Sequence, residues 1–146
     1  MKLLLGIGNE LFARDSFGVL LARALEPKNS RVFLSIPCGL APENFLKYVE
    51  RAEELILADS ALSSSPIPKE KILAHKGSVI LARGISPKFA SSSTHSPSLE
   101  IITRFFKGEP LFLLFLLPSS EVTESEVNQA VSDARPLAET YLKLSP

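Results

Sequence analysis

Three side chains that could act together on one ion stand far apart in the sequence: Asp15, Asp59 and His95. Asp15 follows a Gly-Ile-Gly-Asn turn and precedes an apolar helical pattern, Asp59 follows the apolar run ELILA, and His95 stands in the segment SSSTHSP. Two carboxylate oxygens and one imidazole nitrogen suit a borderline divalent ion and leave coordination positions open for a partner's ligands. These three residues are therefore the candidate site.

Each of the three residues also has a simpler interpretation. Asp15 could cap the helix that follows it or interact with the helix dipole. Asp59 could form an Asx turn with the residues after it. His95 could be an ordinary loop residue or could cap the helix start, for which Ser96 is the expected N-cap. The other histidine, His75, is expected in a turn.

The elements that must position these side chains are indicated by hydrophobic periodicity. Strands are predicted at residues 2–5, 31–36, 54–58, 78–82 and 110–117, and helices begin near residues 16, 42, 96 and 123. This alternation predicts a single α/β domain over residues 1–146, a three-layer αβα sandwich with helices on both faces of a mostly parallel sheet of about five strands. The very apolar strand at 110–117 is expected at its centre, and Pro136 is expected to kink or interrupt the last helix.

Strand ends are where an open α/β sheet holds its ligands, because loops converge there over helix N-termini. The three candidate residues are expected at that edge, as is Cys38 after the second strand. A cysteine hydrolase that uses Cys38 with His95 and Asp59 is therefore an alternative, although a lone cysteine more often behaves as a small apolar residue. A serine nucleophile is disfavoured, because the serine run at residues 91–93 is predicted to be a loop and no Gly-x-Ser-x-Gly elbow exists.

The GIGN turn itself is a weak match to a dinucleotide-binding fingerprint. Gly6 and Gly8 fit its first two positions, but the third glycine would fall at Leu11. No acidic residue ends the second strand, and no Walker-type lysine is present. The glycines are therefore predicted to form a tight turn that brings the backbone close to a neighbouring element.

Composition excludes several classes of partner. Lys plus Arg and Asp plus Glu number 16 each, so the net charge is zero and provides no basic field for nucleic acid or for a membrane surface. Apolar runs such as LFLLFLL are far shorter than the roughly 20 residues of a membrane helix. One cysteine excludes an internal disulfide, so a reducing cytoplasm is expected. A monomer is the default expectation.

Four segments in this order resemble the hydrogenase maturation endopeptidases: GIGNELFARDSFGVLLARAL, CGLAPEN, ELILADSAL and STHSPSLEIITRF. The resemblance spans nearly the whole chain. It implies a protease that removes a short C-terminal extension from the large-subunit precursor of a nickel-iron hydrogenase. It also implies that nickel is supplied by the substrate, with no tightly bound cofactor of the protease's own, and that Asp15, Asp59 and His95 are the catalytic, nickel-binding residues.

The sequence departs from the family pattern at four places. Arg14 stands where the family usually has an acidic residue, and Ser16 replaces a glycine. After the second strand the chain has Pro37-Cys38-Gly39 where an Asp-Gly-Gly turn is common, and Leu116-Leu117-Pro118 stands for the family's Gly-x-Gln-Pro. All three expected nickel ligands are retained. Because of the departures at Arg14 and Pro37, a non-catalytic module that inspects the metal site without cutting is a further alternative.

Overall fold

Six strands form one sheet in the computed structural model, which describes residues 1–87 and 95–144. The strands are β1 (Lys2–Ile7), β2 (Phe33–Gly39), β3 (Glu54–Leu62), β4 (Ile72–Lys76), β5 (Val79–Arg83) and β6 (Leu111–Leu117). Their order is β2-β1-β3-β6-β5-β4; the first four are parallel, and β5 and β4 are antiparallel additions. The predicted mostly parallel sheet with strand 110–117 at its centre is confirmed.

Helices cover both faces of this sheet, as the three-layer prediction requires. They are α1 (Phe17–Leu25), α2 (Leu46–Arg51), α3 (Ser96–Phe105) and α4 (Glu124–Leu142). Alternate residues of β3 face opposite layers: Ile56 packs with α1 and α4, whereas Leu57 packs with α2 and α3. The two apolar clusters therefore hold the sheet between two helix layers. None of the described helices is long and apolar enough to cross a membrane.

The sixth strand, β4, is the element that the sequence pattern missed. His75 lies in β4 opposite Ile80 rather than in a turn, and the turn that follows is made by Gly77, whose φ is 56°. β4 is an edge strand, and three of its five residues are exposed. Its apolar run covers only residues 72–74 and ends at His75, so it is shorter than the runs of most buried strands, which explains the missed element. The serine run at residues 91–93 lies outside the described residues.

Two strands extend further than predicted. β2 continues to Gly39, so Pro37 and Cys38 lie inside it. β2 is an edge strand, a position in which a sheet tolerates proline. β3 continues to Leu62, so Asp59 lies within the strand rather than directly after it. The reason is pairing with β6, which continues as far as Leu62 opposite Leu117.

Helix ends also differ in detail from the predictions. α3 begins at Ser96, one residue early, so His95 rather than Ser96 is the N-cap residue. α4 begins with a capping box: the Thr123 hydroxyl accepts the Glu126 N–H, and the Glu126 carboxylate accepts the Thr123 N–H. α4 is not interrupted at Pro136, which is exposed on the helix surface. A proline there leaves the unpaired carbonyl of the preceding turn open to solvent.

Candidate functional site

The turn after β1 brings the strand into contact with the start of α1. A Cβ atom built on Gly6 would lie 2.1 Å from the carbonyl oxygen of Gly18, and one built on Gly8 would lie 2.0 Å from the carbonyl oxygen of Asp15. Gly8 also has a φ of +134°, a conformation that other residues rarely adopt. The glycines thus make the tight turn predicted from the sequence, and the neighbour that they approach is the segment carrying Asp15.

Asp15 ends a short 3-10 helix, Ala13–Asp15, immediately before α1. Its Oδ2 accepts the backbone N–H of Asn9 at 3.0 Å, and its Oδ1 lies 2.8 Å from Nε2 of His95. Ser16, not Asp15, is the residue before α1, and it makes no side-chain capping bond. The Asp15 carboxylate is therefore committed to the turn and to His95 rather than to capping the helix.

Asp59 is fully buried and is the first residue of β3 beyond its pairing with β1. Its Oδ1 accepts the N–H of Ser60 at 2.8 Å, whereas its Oδ2 has no hydrogen-bond partner among the described residues. Burial raises the pKa of Asp59 to about 8, although the nearby His95 and the Ser60 hydrogen bond both favour the ionised form. A buried carboxyl group with one unpartnered oxygen is costly unless a further ligand satisfies it.

His95 reaches the site from the opposite helix layer. Its carbonyl accepts the N–H of Leu99, which fixes the residue at the start of α3, and its side chain is buried. The hydrogen bond with Asp15 raises the pKa of His95, and the charge of Asp59 acts in the same direction, against desolvation. The imidazole is thus held between two carboxyl groups.

The structure brings the three candidate residues together. One ligand atom from each of Asp15, Asp59 and His95 lies within 4.8 Å of the others. Asp15 comes from the turn before α1, His95 from the start of α3, and Asp59 from the sheet between these layers. Two oxygens and one nitrogen at this separation could hold a divalent ion and leave open positions for other ligands.

Cys38 does not belong to this cluster. It lies on β2, which β1 separates from β3, and parallel strands are about 4.8 Å apart. Its Sγ donates to the carbonyl oxygen of Ile36 at 3.6 Å. Burial, with the charge of Glu43, raises the pKa of Cys38 to about 12, so the thiol is protonated at neutral pH. The geometry gives no support to a Cys38–His95–Asp59 hydrolase.

Comparison with known proteins finds similarity only in three dimensions. No family profile matches the sequence, and no curated protein matches it at a significant level. The hydrogenase maturating endopeptidase HybD from E. coli superposes with a TM-score of 0.69 at 22% identity, over 97% of this chain and 94% of that one. The [NiFe] hydrogenase maturation protease HybD from Thermococcus kodakarensis gives 0.70 at 21% identity, over 97% and 99%. The chain has the fold of these maturation proteases.

A third structure agrees with the first two. The [NiFe] hydrogenase maturation protease HycI from Thermococcus kodakarensis superposes with a TM-score of 0.64 at 19% identity, over 97% of this chain and 89% of that one. The structural similarity spans nearly the whole chain, as the four sequence segments predicted. The predicted resemblance is therefore confirmed for the fold.

On this maturation-protease fold, Arg14 has a role that sequence reasoning did not assign. Its guanidinium donates from Nη1 to the carbonyl oxygens of Pro118, at 3.1 Å, and Ser120, at 2.7 Å. It therefore ties the segment after β6 to the turn that carries Asp15. The sequence offered one signal for this role, namely the replacement of a usual acidic residue by a long cation with several donors.

Ser60 is the second residue that sequence reasoning missed. It is buried, and its Oγ has no hydrogen-bond partner among the described residues. Together with Arg14, Asp15, Ala61, Leu62 and Leu117 it lines a cavity of about 180 Å³ beside the candidate site. A larger cavity of about 460 Å³, between β6 and α4, is lined by none of the three candidate residues. We regard the smaller cavity as the relevant one, because Asp15 is part of its wall.

Proposed function

We propose that the protein is an endopeptidase that removes the C-terminal extension of a nickel-iron hydrogenase large-subunit precursor, and that it recognises nickel already inserted in that substrate. Two lines of support lead to this proposal. The fold is shared with proteins named as hydrogenase maturation proteases. The site gathers Asp15, Asp59 and His95, the residues to which the sequence resemblance assigns nickel binding.

The observation that carries the proposal is the unpartnered Oδ2 of Asp59. That oxygen is buried, and a carboxylate oxygen of Asp59 lies within 4.8 Å of a ligand atom of Asp15 and of His95. An isolated buried carboxyl oxygen destabilises the folded protein, and a cation presented by a substrate would supply the missing interaction. The site is therefore better suited to binding an ion than to remaining without a ligand.

Binding of the substrate's nickel ion should release protons from the site. The pKa of Asp59, raised to about 8 by burial, means that the carboxyl group is largely protonated at pH 7. A divalent ion favours the ionised carboxylate and neutral imidazole, so its arrival expels protons. Nε2 of His95 is also bonded to Asp15 Oδ1, and that hydrogen bond must open if Nε2 is to coordinate.

The role of the three side chains would be to hold the precursor in one orientation. Substrate cysteines hold the nickel, and the two carboxylates and the imidazole complete its coordination. The scissile bond is thereby fixed in the cleft, an orientation effect that can supply several kcal/mol of the barrier. Hydrolysis can then follow either of two routes: polarisation of the carbonyl by the ion, or activation of water by a carboxylate.

The test is incubation of the protein with nickel-loaded and nickel-free precursor side by side, followed by mass measurement of the large subunit. Loss of a C-terminal extension from the nickel-loaded precursor alone supports the proposal. Cleavage of both forms would retain the protease and remove nickel recognition. An unchanged mass with a stable complex would instead support a non-catalytic module that inspects the metal site.

A further inference from the structure

The carboxyl end of β3 extends beyond one of its neighbours. Pairing between β1 and β3 stops at Gly6 opposite Ala58, whereas β1 stays paired with β2 to its last residue, Ile7, which lies opposite Gly39. On its other side β3 remains paired with β6 as far as Leu62. The last residues of β3 therefore have a paired strand on one side only.

The direction of the backbone groups in this stretch follows from one hydrogen bond. The N–H of Ser63 donates to the carbonyl oxygen of Leu117 on β6 at 3.0 Å. In a parallel ladder, alternate residues direct both backbone groups to the same side. The backbone groups of Ser63 and Ala61 therefore face β6, whereas those of Ser60 and Leu62 face the opposite side, on which β3 has no further pairs with β1.

Two of the four backbone groups on that side are already used. The N–H of Ser60 donates to Oδ1 of Asp59 at 2.8 Å, and the carbonyl oxygen of Leu62 accepts from Ser65 at 2.9 Å. The carbonyl oxygen of Ser60 and the N–H of Leu62 are paired with no backbone group that the structure describes. This acceptor and this donor, two residues apart, are the groups that an added strand would use.

The cavity beside these groups is suited to a side chain. Its volume is about 180 Å³, and its wall combines apolar Ala61, Leu62 and Leu117 with the buried hydroxyl of Ser60. Ser60 is 4% exposed, and its hydroxyl lacks a hydrogen-bond partner among the described residues. Asp15 lies in the same wall, so the cavity is continuous with the candidate site.

We propose that the β3 margin, meaning residues Ser60–Leu62, binds an extended segment of the substrate polypeptide as an added strand, with a small apolar side chain in the adjoining cavity. This inference rests on the proposed endopeptidase function and names the residues that hold the peptide beside the scissile bond. The occupant is the substrate chain, because Asp15 of the candidate site lines the same cavity as this margin. Backbone pairing supplies affinity, and the cavity supplies selectivity.

A matched pair of variants tests the inference. Leu62→Pro removes the unpaired N–H, whereas Leu62→Ala removes the side chain and keeps the N–H. With nickel-loaded precursor, we expect kcat/KM of Leu62→Pro to be about tenfold below that of Leu62→Ala, mainly through a raised KM, because one hydrogen bond to substrate is lost. Thermal unfolding of both variants is measured in parallel.

The possible outcomes separate the inference from the proposed function. If the wild-type protein leaves the precursor intact, the proposed function and this inference both fail. If the wild type cleaves it and both variants cut at equal rates, only the inference fails. If Leu62→Pro unfolds, proline and alanine are placed in turn at substrate positions flanking the cut. A loss specific to proline supports strand addition, and equal rates with both residues overturn it.

Discussion

Nε2 of His95 lies 2.8 Å from Oδ1 of Asp15, across 80 residues of sequence and between opposite helix layers. This contact links the turn before α1 to the start of α3 directly beside the buried carboxyl group of Asp59. It holds His95 and Asp15 beside Asp59 before a substrate arrives, so that coordination by Nε2 requires only the opening of this hydrogen bond. The protonation states of His95 and Asp59 depend on one another, because the charge of Asp59 raises the pKa of His95 and that of His95 lowers the pKa of Asp59.

Removal of a single proposed ligand should abolish processing. We expect His95→Ala and Asp59→Asn each to slow the cleavage of nickel-loaded precursor by at least about 100-fold, because an incomplete ligand set no longer fixes the substrate's ion. The control is His75→Ala, which changes the exposed histidine on β4 and should leave the rate unchanged. Initial rates followed by mass measurement check this, and full activity in either ligand variant would refute the assignment.

Activity should depend on pH above the ordinary histidine range. The pKa of His95 is raised from 6.5 by its hydrogen bond with Asp15, and burial raises the pKa of Asp59 to about 8. Coordination requires neutral imidazole and ionised carboxylate, so kcat/KM should increase as pH rises from 6.5 to about 8. Initial rates between pH 6 and 9 measure this limb. A flat or falling profile across that interval would contradict it.

Stability of the metal-free protein should change in the opposite direction. The raised pKa of Asp59 means that the folded state holds its proton more tightly than the unfolded state does, so the free energy of unfolding falls as pH rises from about 4 to about 8. The raised pKa of His95 acts in the same sense, because its contribution is present below pH 6.5 and is lost as the folded form deprotonates.

The variant Asp59→Asn isolates the carboxyl contribution. One proton of difference corresponds to a slope of at most about 1.4 kcal/mol per pH unit, and Asn should remove that part of the slope while abolishing processing. Urea unfolding of both proteins at pH 5, 6.5 and 8 gives the slopes. Parallel slopes for wild type and variant would show that Asp59 is not the group responsible.

The glycine beside Asp15 offers a structural test. A Cβ at Gly8 would lie 2.0 Å from the Asp15 carbonyl oxygen, so Gly8→Ala must displace the residue and should remove processing as well as stability. Gly84→Ala is the matched control, since Gly84 has a φ of +71° but only ordinary contacts. It should cost about 1 kcal/mol of stability and retain activity. Thermal unfolding and cleavage rates distinguish the two.

The sequence by itself determined the architecture and nominated the site. Hydrophobic periodicity is a local property, so runs such as ELILA and LFLLFLL and the spacing of the helices were enough to predict a parallel sheet between two helix layers. The parallel topology then directed attention to polar residues near strand ends, which selected Asp15, Asp59 and His95. The exposed edge strand β4 was missed because its apolar run, residues 72–74, is only three residues long.

Tertiary structure alone decided how those residues stand to one another. Whether Asp59 caps a turn or lies buried with an unpartnered oxygen depends on how far β6 pairs with β3, and that length is set by a neighbour more than 50 positions away. The same non-local pairing creates the β3 margin, and packing of two layers brings Asp15 and His95 into contact. Local sequence encodes which element forms and which of its faces is apolar. The distances between side chains, their burial and the unpaired backbone groups arise only when distant segments pack against one another.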